Sequence, residues 1–118
     1  MSALAAGRTS ASRLDFVYRY AIHLHIVIKS FAHKGLERFF RTGVKSGIQP
    51  GHAARLRLQL QLLNRARRPQ DMRLPNWHLH PLNGDLAGHW SVRVSGNWRL
   101  TFKFEGEDAI LVNYLDYH

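Results

Sequence analysis

No cysteine occurs among the 118 residues, which excludes disulfides, thiolate metal sites and a thiol nucleophile. Small secreted domains often lean on such cross-links, so their absence points to the reducing cytosol. Acidic residues are scarce as well, 8 Asp and Glu against 17 Lys and Arg, for a formal charge of +9. That balance suits a polyanion or an acidic protein partner and says nothing about fold. Long apolar runs are missing too. The most hydrophobic stretch, residues 14–28, is broken by Asp15, Arg19, His23 and His25, too polar for the ~20 lipid-facing residues of a membrane span. Arg8 and Arg13 precede it, yet no small-residue cleavage site follows a clean apolar core, which argues against export. Neither an internal repeat nor a low-complexity tract is present.

What the chain does contain fits one packed domain, with 45% hydrophobic residues and too little length for two cores. Residues 1–13 are rich in Ala, Ser and Gly and read as a dangling arm. A β-branched and aromatic stretch follows, with a strand expected at Ile26–Phe31. His33–Thr42 reads as a helix, with Leu36, Phe39 and Phe40 on one face and Gly43 where it would stop. Pro50 to about Arg67 reads as a second helix with Pro in its first turn. Ala53, Leu56, Leu60 and Leu63 form one stripe, and Leu58 and Leu62 lie opposite, which suggests contact on two sides. This helix and its exit carry Arg55, Arg57, Arg65, Arg67 and Arg68 with no acidic residue until Asp71.

Beyond Pro69–Pro75 the period changes to two. Trp90, Val92 and Val94 alternate with Ser91, Arg93 and Ser95; Trp98, Leu100, Phe102 and Phe104 alternate with Arg99, Thr101 and Lys103. With a turn at Ser95-Gly96-Asn97, residues 90–104 make a hairpin with one apolar and one basic face. A turn at Glu105–Asp108 leads to an apolar strand, Ala109–Tyr114, suited to the middle of a sheet. The order implies an α+β domain with two N-terminal helices against one face of an antiparallel sheet. Arg93, Arg99, Thr101 and Lys103 would then project from the other face. A polar outer face is ordinary; a basic one without carboxylates suits RNA phosphates.

Two kinds of chemistry fit the inventory. His23-x-His25 and His78-x-His80 each place two imidazoles on one strand face, a zinc-compatible geometry without a third ligand nearby in sequence. Metal-free RNA cleavage fits better. There the 2′-hydroxyl attacks its own phosphate, a base takes its proton, an acid protects the leaving 5′-oxygen and a cation stabilises the phosphorane. His80, Arg99, Tyr117 and His118 are residues of those types, with aromatics able to hold a splayed base.

The strings VIKSFAHKGLERFF (27–40), LHPLNGDLAGHWSVRVSGNWRLTF (79–102) and YLDYH (114–118) closely resemble HigB-type toxins of the RelE/ParE superfamily. The resemblance runs from Val27 to His118 and implies a compact antiparallel sheet flanked by two helices. It also implies a ribosome-dependent mRNA interferase that enters the A site, uses no cofactor, and is paired with a helix-turn-helix, HigA-like antitoxin. Operator DNA would be reached only through that antitoxin. Matched position by position, His80 corresponds to the histidine of LHPL, Arg99 to the arginine of NWR, and Asp116, Tyr117 and His118 to the terminal triplet. The histidines are implied for proton transfer, in either order, Arg99 for phosphate contact, and Tyr117 for stacking or hydrogen bonding. Asn83, Arg93 and Lys103 are the accompanying RNA-binding candidates. One departure stands out: where the family reads HPLKGD, this chain reads HPLNGD, so Asn83 replaces a lysine and supplies no charge.

Residues 1–26 stand outside the resemblance, and are expected to be a disordered extension or an upstream mis-started segment before a 27–118 toxin domain. Competing readings are a non-enzymatic toxin fold, whether a ParE-like gyrase inhibitor or a degenerate toxin kept for antitoxin binding, and a plain nucleic-acid-binding module. The histidine-bearing DYH end argues against the ParE branch.

Overall fold

The computed structural model describes residues 28–117. The arm at 1–13, the start of the expected strand at Ile26, the His23/His25 pair and His118 lie outside the described residues.

Helix α1 spans Lys34–Thr42. His33 caps it, its Nδ1 accepting the Leu36 N–H at 2.9 Å. Gly43 ends it at φ 84°, a left-handed value glycine adopts freely, and its N–H closes on the Phe39 carbonyl at 2.8 Å. A 3₁₀ turn at Pro50–His52 leads into α2, Ala53–Arg65. The Ala53, Leu56, Leu60 and Leu63 stripe is buried as the pattern required. The second stripe splits, since Leu62 packs at the margin of the core while Leu58 stays 47% exposed.

Four strands follow: β1 (His80–Pro81), β2 (Trp90–Ser95), β3 (Trp98–Glu105) and β4 (Asp108–Asp116). They form one antiparallel sheet in the order β1-β2-β3-β4. The β2–β3 hairpin closes through Gly96 and Asn97, with Gly96 at φ 54° in the first central position that this tight turn reserves for glycine. Val92, Leu100, Phe102 and Val112 bury their side chains in one cluster with Leu36, Phe39, Leu56, Leu60 and Leu63. Both helices therefore cover the same sheet face. Truncating Phe102 or Leu60 to alanine would cost about 2–5 kcal/mol at such fully buried positions.

The Ala109–Tyr114 strand lies within β4, with β3 on one side and segment 28–31 on the other. One expectation needs correction: that segment is not a continuous strand. It lies parallel to β4 and touches it in two isolated bridges, Ile28–Ala109 and Phe31–Val112. The cause sits in β4, where Leu111 adopts φ 54° and the β3 register shifts between Thr101 and Lys103. A bulge of this kind cannot pair evenly with a straight neighbour. Ser30 bridges the gap instead, its Oγ accepting the Leu111 N–H at 2.8 Å.

Candidate active site

Residues directly opposite each other in an antiparallel sheet share a face, and that face recurs every second residue. The register therefore sorts the candidate residues. One row across the sheet reads His80, Ser91, Thr101, Asn113. The next reads Arg93, Arg99, Leu115, and on the other side lies Lys103 with Ile110. All belong to the face turned away from the helices. Continuing the alternation from Leu115 puts Tyr117 on that face too, 41% exposed.

His80 is exposed, and its Nδ1 lies 2.8 Å from the His78 carbonyl oxygen. A carbonyl can only accept, so in the neutral ring the proton sits on Nδ1 and the Nε2 lone pair is left available. His78 presents that carbonyl from φ 51°, a value unusual for a non-glycine residue. Arg99 is half-buried and curls back over the hairpin turn, donating through Nη1 to the Gly96 carbonyl at 2.7 Å and to that of Trp98 at 3.1 Å. Tyr117 is tied to the same turn, its N–H donating to the Asn97 carbonyl at 2.8 Å. Arg99 and Tyr117 are thus held by neighbouring carbonyls of one tight turn.

The β1–β2 loop borders this face. Leu82 N–H bonds the His89 carbonyl at 2.9 Å, closing the loop on itself. Lys103 runs beneath it, its Cε and Nζ 3.4 and 3.7 Å from where a Cβ on Gly88 would stand. Asn83 is exposed in the same loop and opens the short 3₁₀ turn Gly84–Leu86 without capping it through its side chain.

Asp116 falls elsewhere. It pairs with Trp98 on the helix side of the sheet and is exposed. There Trp98 stacks on Tyr114 with ring centroids 4.5 Å apart, and the His52 Nδ1 lies 2.7 Å from the Tyr114 hydroxyl. Burial raises the Tyr114 pKa, the Gln49 N–H opposes that rise, and the negative charge of Asp116 adds to it. The structure therefore brings His80, Arg93, Arg99, Lys103 and Tyr117 to one face and leaves Asp116 on the other.

Comparison with known proteins assigns the chain to a family. A family model described as the RelE-like toxin of the type II toxin–antitoxin system HigB matches residues 29–118. The chain belongs to the HigB-like toxins. Among curated relatives, the protein named Endoribonuclease HigB from Proteus vulgaris is 44% identical over 92 residues, covering 78% of this chain and 100% of that protein. Toxin HigB-1 of Vibrio cholerae serotype O1 is 32% identical over 91 residues, covering 75% of this chain and 94% of its own length. A type II toxin is made with an antitoxin, so such a partner comes with the family.

Within this HigB-like fold, the burial of some polar groups was not expected from sequence. Ser91 and Thr101 sit in the His80 row at 1% and 2% exposure, covered rather than open. Ser91 Oγ and His89 Nδ1 are buried without a hydrogen-bond partner among the described residues, as is Oε1 of Gln59. Gln59 interrupts the apolar stripe of α2, and its Nε2 donates to the Arg93 carbonyl at 2.9 Å. A glutamine within a leucine stripe was the available signal. Among the described residues, no group of three or more potential metal-binding side chains converges, and no helix is long and apolar enough to cross a membrane.

Proposed function

We propose that this HigB-like toxin is an endoribonuclease that cuts ribosome-bound mRNA through the message's own 2′-hydroxyl. The observation that carries the reading is the outer sheet face, where an exposed histidine with Nε2 available shares neighbouring rows with Arg99, Lys103 and Tyr117. In this scheme Nε2 of His80 takes the 2′-hydroxyl proton as the 2′-oxygen bonds to phosphorus. The bond from phosphorus to the 5′-oxygen breaks, and His118, carried over by resemblance, returns a proton to that oxygen. The products are a 2′,3′-cyclic phosphate and a 5′-hydroxyl end. Arg99 and Lys103 hold the phosphorane charge, with Lys103 supplying what Asn83 lacks. Tyr117 stacks on or hydrogen-bonds a splayed nucleotide. Asp116, across the sheet, acts as a positioning residue for the end of the chain. Residues 27–118 are the toxin domain, and the partner is a helix-turn-helix antitoxin through which operator DNA is bound.

Cleavage of message on programmed ribosomes, mapped at the new 5′ ends, tests the scheme. His80→Gln should lose about 10²–10⁴-fold in rate, the usual contribution of a general base. Its melting temperature should hardly move, because His80 is exposed. Lys103→Gln should lose about 10²-fold, and Asn83→Lys in that background should recover most of the loss. Unchanged cutting by His80→Gln would sink the assignment. The neutral Asn83 favours a second reading, a toxin fold kept only for antitoxin binding. That reading stands if the wild type leaves message intact and Asn83→Lys alone cuts.

A further inference from the structure

The register of the hairpin sets Arg93 directly opposite Arg99. Side chains paired this way start from Cβ atoms about 4.5–5.5 Å apart, and like charges there destabilise a sheet. The third member of the row is Leu115, so no carboxylate in that row offsets them. Arg93 also lines a polar recess at the sheet edge together with Arg55, Asn76, Val94 and Ser95. The recess exists because β1 is short. It pairs only with Trp90 and Ser91 and leaves the rest of the β2 edge without a strand.

The backbone at Arg93 is fixed by other means. Its N–H donates to the Trp77 carbonyl at 2.7 Å, and its own carbonyl accepts from Gln59 at 2.9 Å and from Arg55 at 3.4 Å. Across the recess Asn76 holds φ 71°, a left-handed conformation that non-glycine residues keep only where the surroundings enforce it. Two guanidinium groups thus face an open pocket whose lining contains no acid.

We propose that this recess is a phosphate subsite for single-stranded RNA, holding the backbone phosphate next to the one bound at Arg99. The proposal rests on the reading above that RNA is the substrate. Arg93 and Arg55 offer forked donors that match phosphate oxygens, and Asn76 and Ser95 add neutral donors. One phosphate on each arginine offsets the repulsion between Arg93 and Arg99. The message then crosses the strands, from β3 over β2 to the open edge.

The test uses a short 2′-O-methyl oligoribonucleotide, which cannot cleave itself, and fluorescence anisotropy over a range of salt. Arg93→Gln should weaken binding roughly threefold to tenfold and lower the salt slope by about 0.7, the value for one lost contact on a single strand. Arg65→Gln removes the same charge from the far end of α2 and should leave the slope unchanged. A scan of single neutral methylphosphonate linkages should find one position that weakens the wild type and not Arg93→Gln. Equal sensitivity of both proteins, an equal effect of Arg65→Gln, or no binding by the wild type overturns the subsite. Weaker antitoxin binding by Arg93→Gln with RNA affinity intact also overturns it and assigns the recess to the partner. Cutting of programmed ribosomes by the wild type is scored separately, so the nuclease reading can stand while the subsite falls.

Discussion

His33 shows how one side chain couples local structure to pH. Its Nδ1 accepts the Leu36 N–H at the start of α1, and only the neutral ring has that lone pair. Burial holds its pKa below the ordinary histidine value, outweighing a backbone hydrogen bond that pushes the other way. As pH falls, the unfolded ring takes up a proton before the folded one does, so stability must fall with it. The contribution is complete above about 6.5, the unfolded value, and is lost as pH drops toward the depressed folded value. Melting temperatures followed from about pH 7.5 to pH 5 should show this decline in the wild type. His33→Asn keeps a capping acceptor without a titrating ring and should give a flatter profile; superimposable profiles would refute the coupling. At this scale the sequence told residue types better than surroundings. Period-two alternation put Arg93, Arg99 and Lys103 on the outer face, where the register has them. It could not tell that Ser91 and Thr101 on that same face would be buried, because alternation assigns a face and not what lies over it. Asp116 was grouped with Tyr117 by resemblance to the terminal triplet, which matches positions and carries no information on sheet faces.

Elements with local signals were legible, and those defined by distant partners were not. α1 carries its own cap and stop in His33 and Gly43, and the β2–β3 hairpin carries its own turn. Residues 28–31 carry only a β-branched and aromatic composition, which favours extension without saying with what, or how continuously, they pair. That was decided some eighty residues away by the bulge at Leu111, which bonds Ser30. Leu111 is 42% exposed, so its side chain contributes little to the core. Its left-handed backbone costs a branched residue about 1–2 kcal/mol, which glycine would recover. Glycine also widens the unfolded ensemble, at a cost of about 0.4–1 kcal/mol. Leu111→Gly should therefore stabilise by up to about 1 kcal/mol in denaturant titration, whereas Leu111→Val should destabilise. If Leu111→Gly loses more than about 1 kcal/mol, the strain argument fails and the exposed leucine is holding something in place.

For the whole molecule, the question is where the folded unit begins. The family match opens at residue 29, and the Proteus relative is covered over its full length by 78% of this chain. The first described residue is already anchored. Ile28 is 5% exposed, its N–H donates to Asn64 Oδ1 at 2.8 Å, and it bridges to Ala109. Lys29 adds a 3.2 Å ion pair with Asp108. Solvent reaches both partners, so the pair adds little next to the burial and backbone bonds beside it. We propose from these attachments that the folded unit starts just before residue 28. Removing residues 1–26 should therefore shift the melting temperature by no more than about 2 °C and leave cleavage and antitoxin binding intact. Removing residues 1–31 should behave very differently, because it strips both bridges to β4, the Ser30 bond to Leu111 and the buried Ile28. For a domain of this size each 1 kcal/mol lowers the melting temperature by roughly 4–8 °C, so losing several such contacts should cost tens of degrees or prevent folding. Calorimetry on the two truncations and the full chain separates the cases. Similar losses from both deletions would move the boundary upstream and make residues 1–26 part of the folded domain.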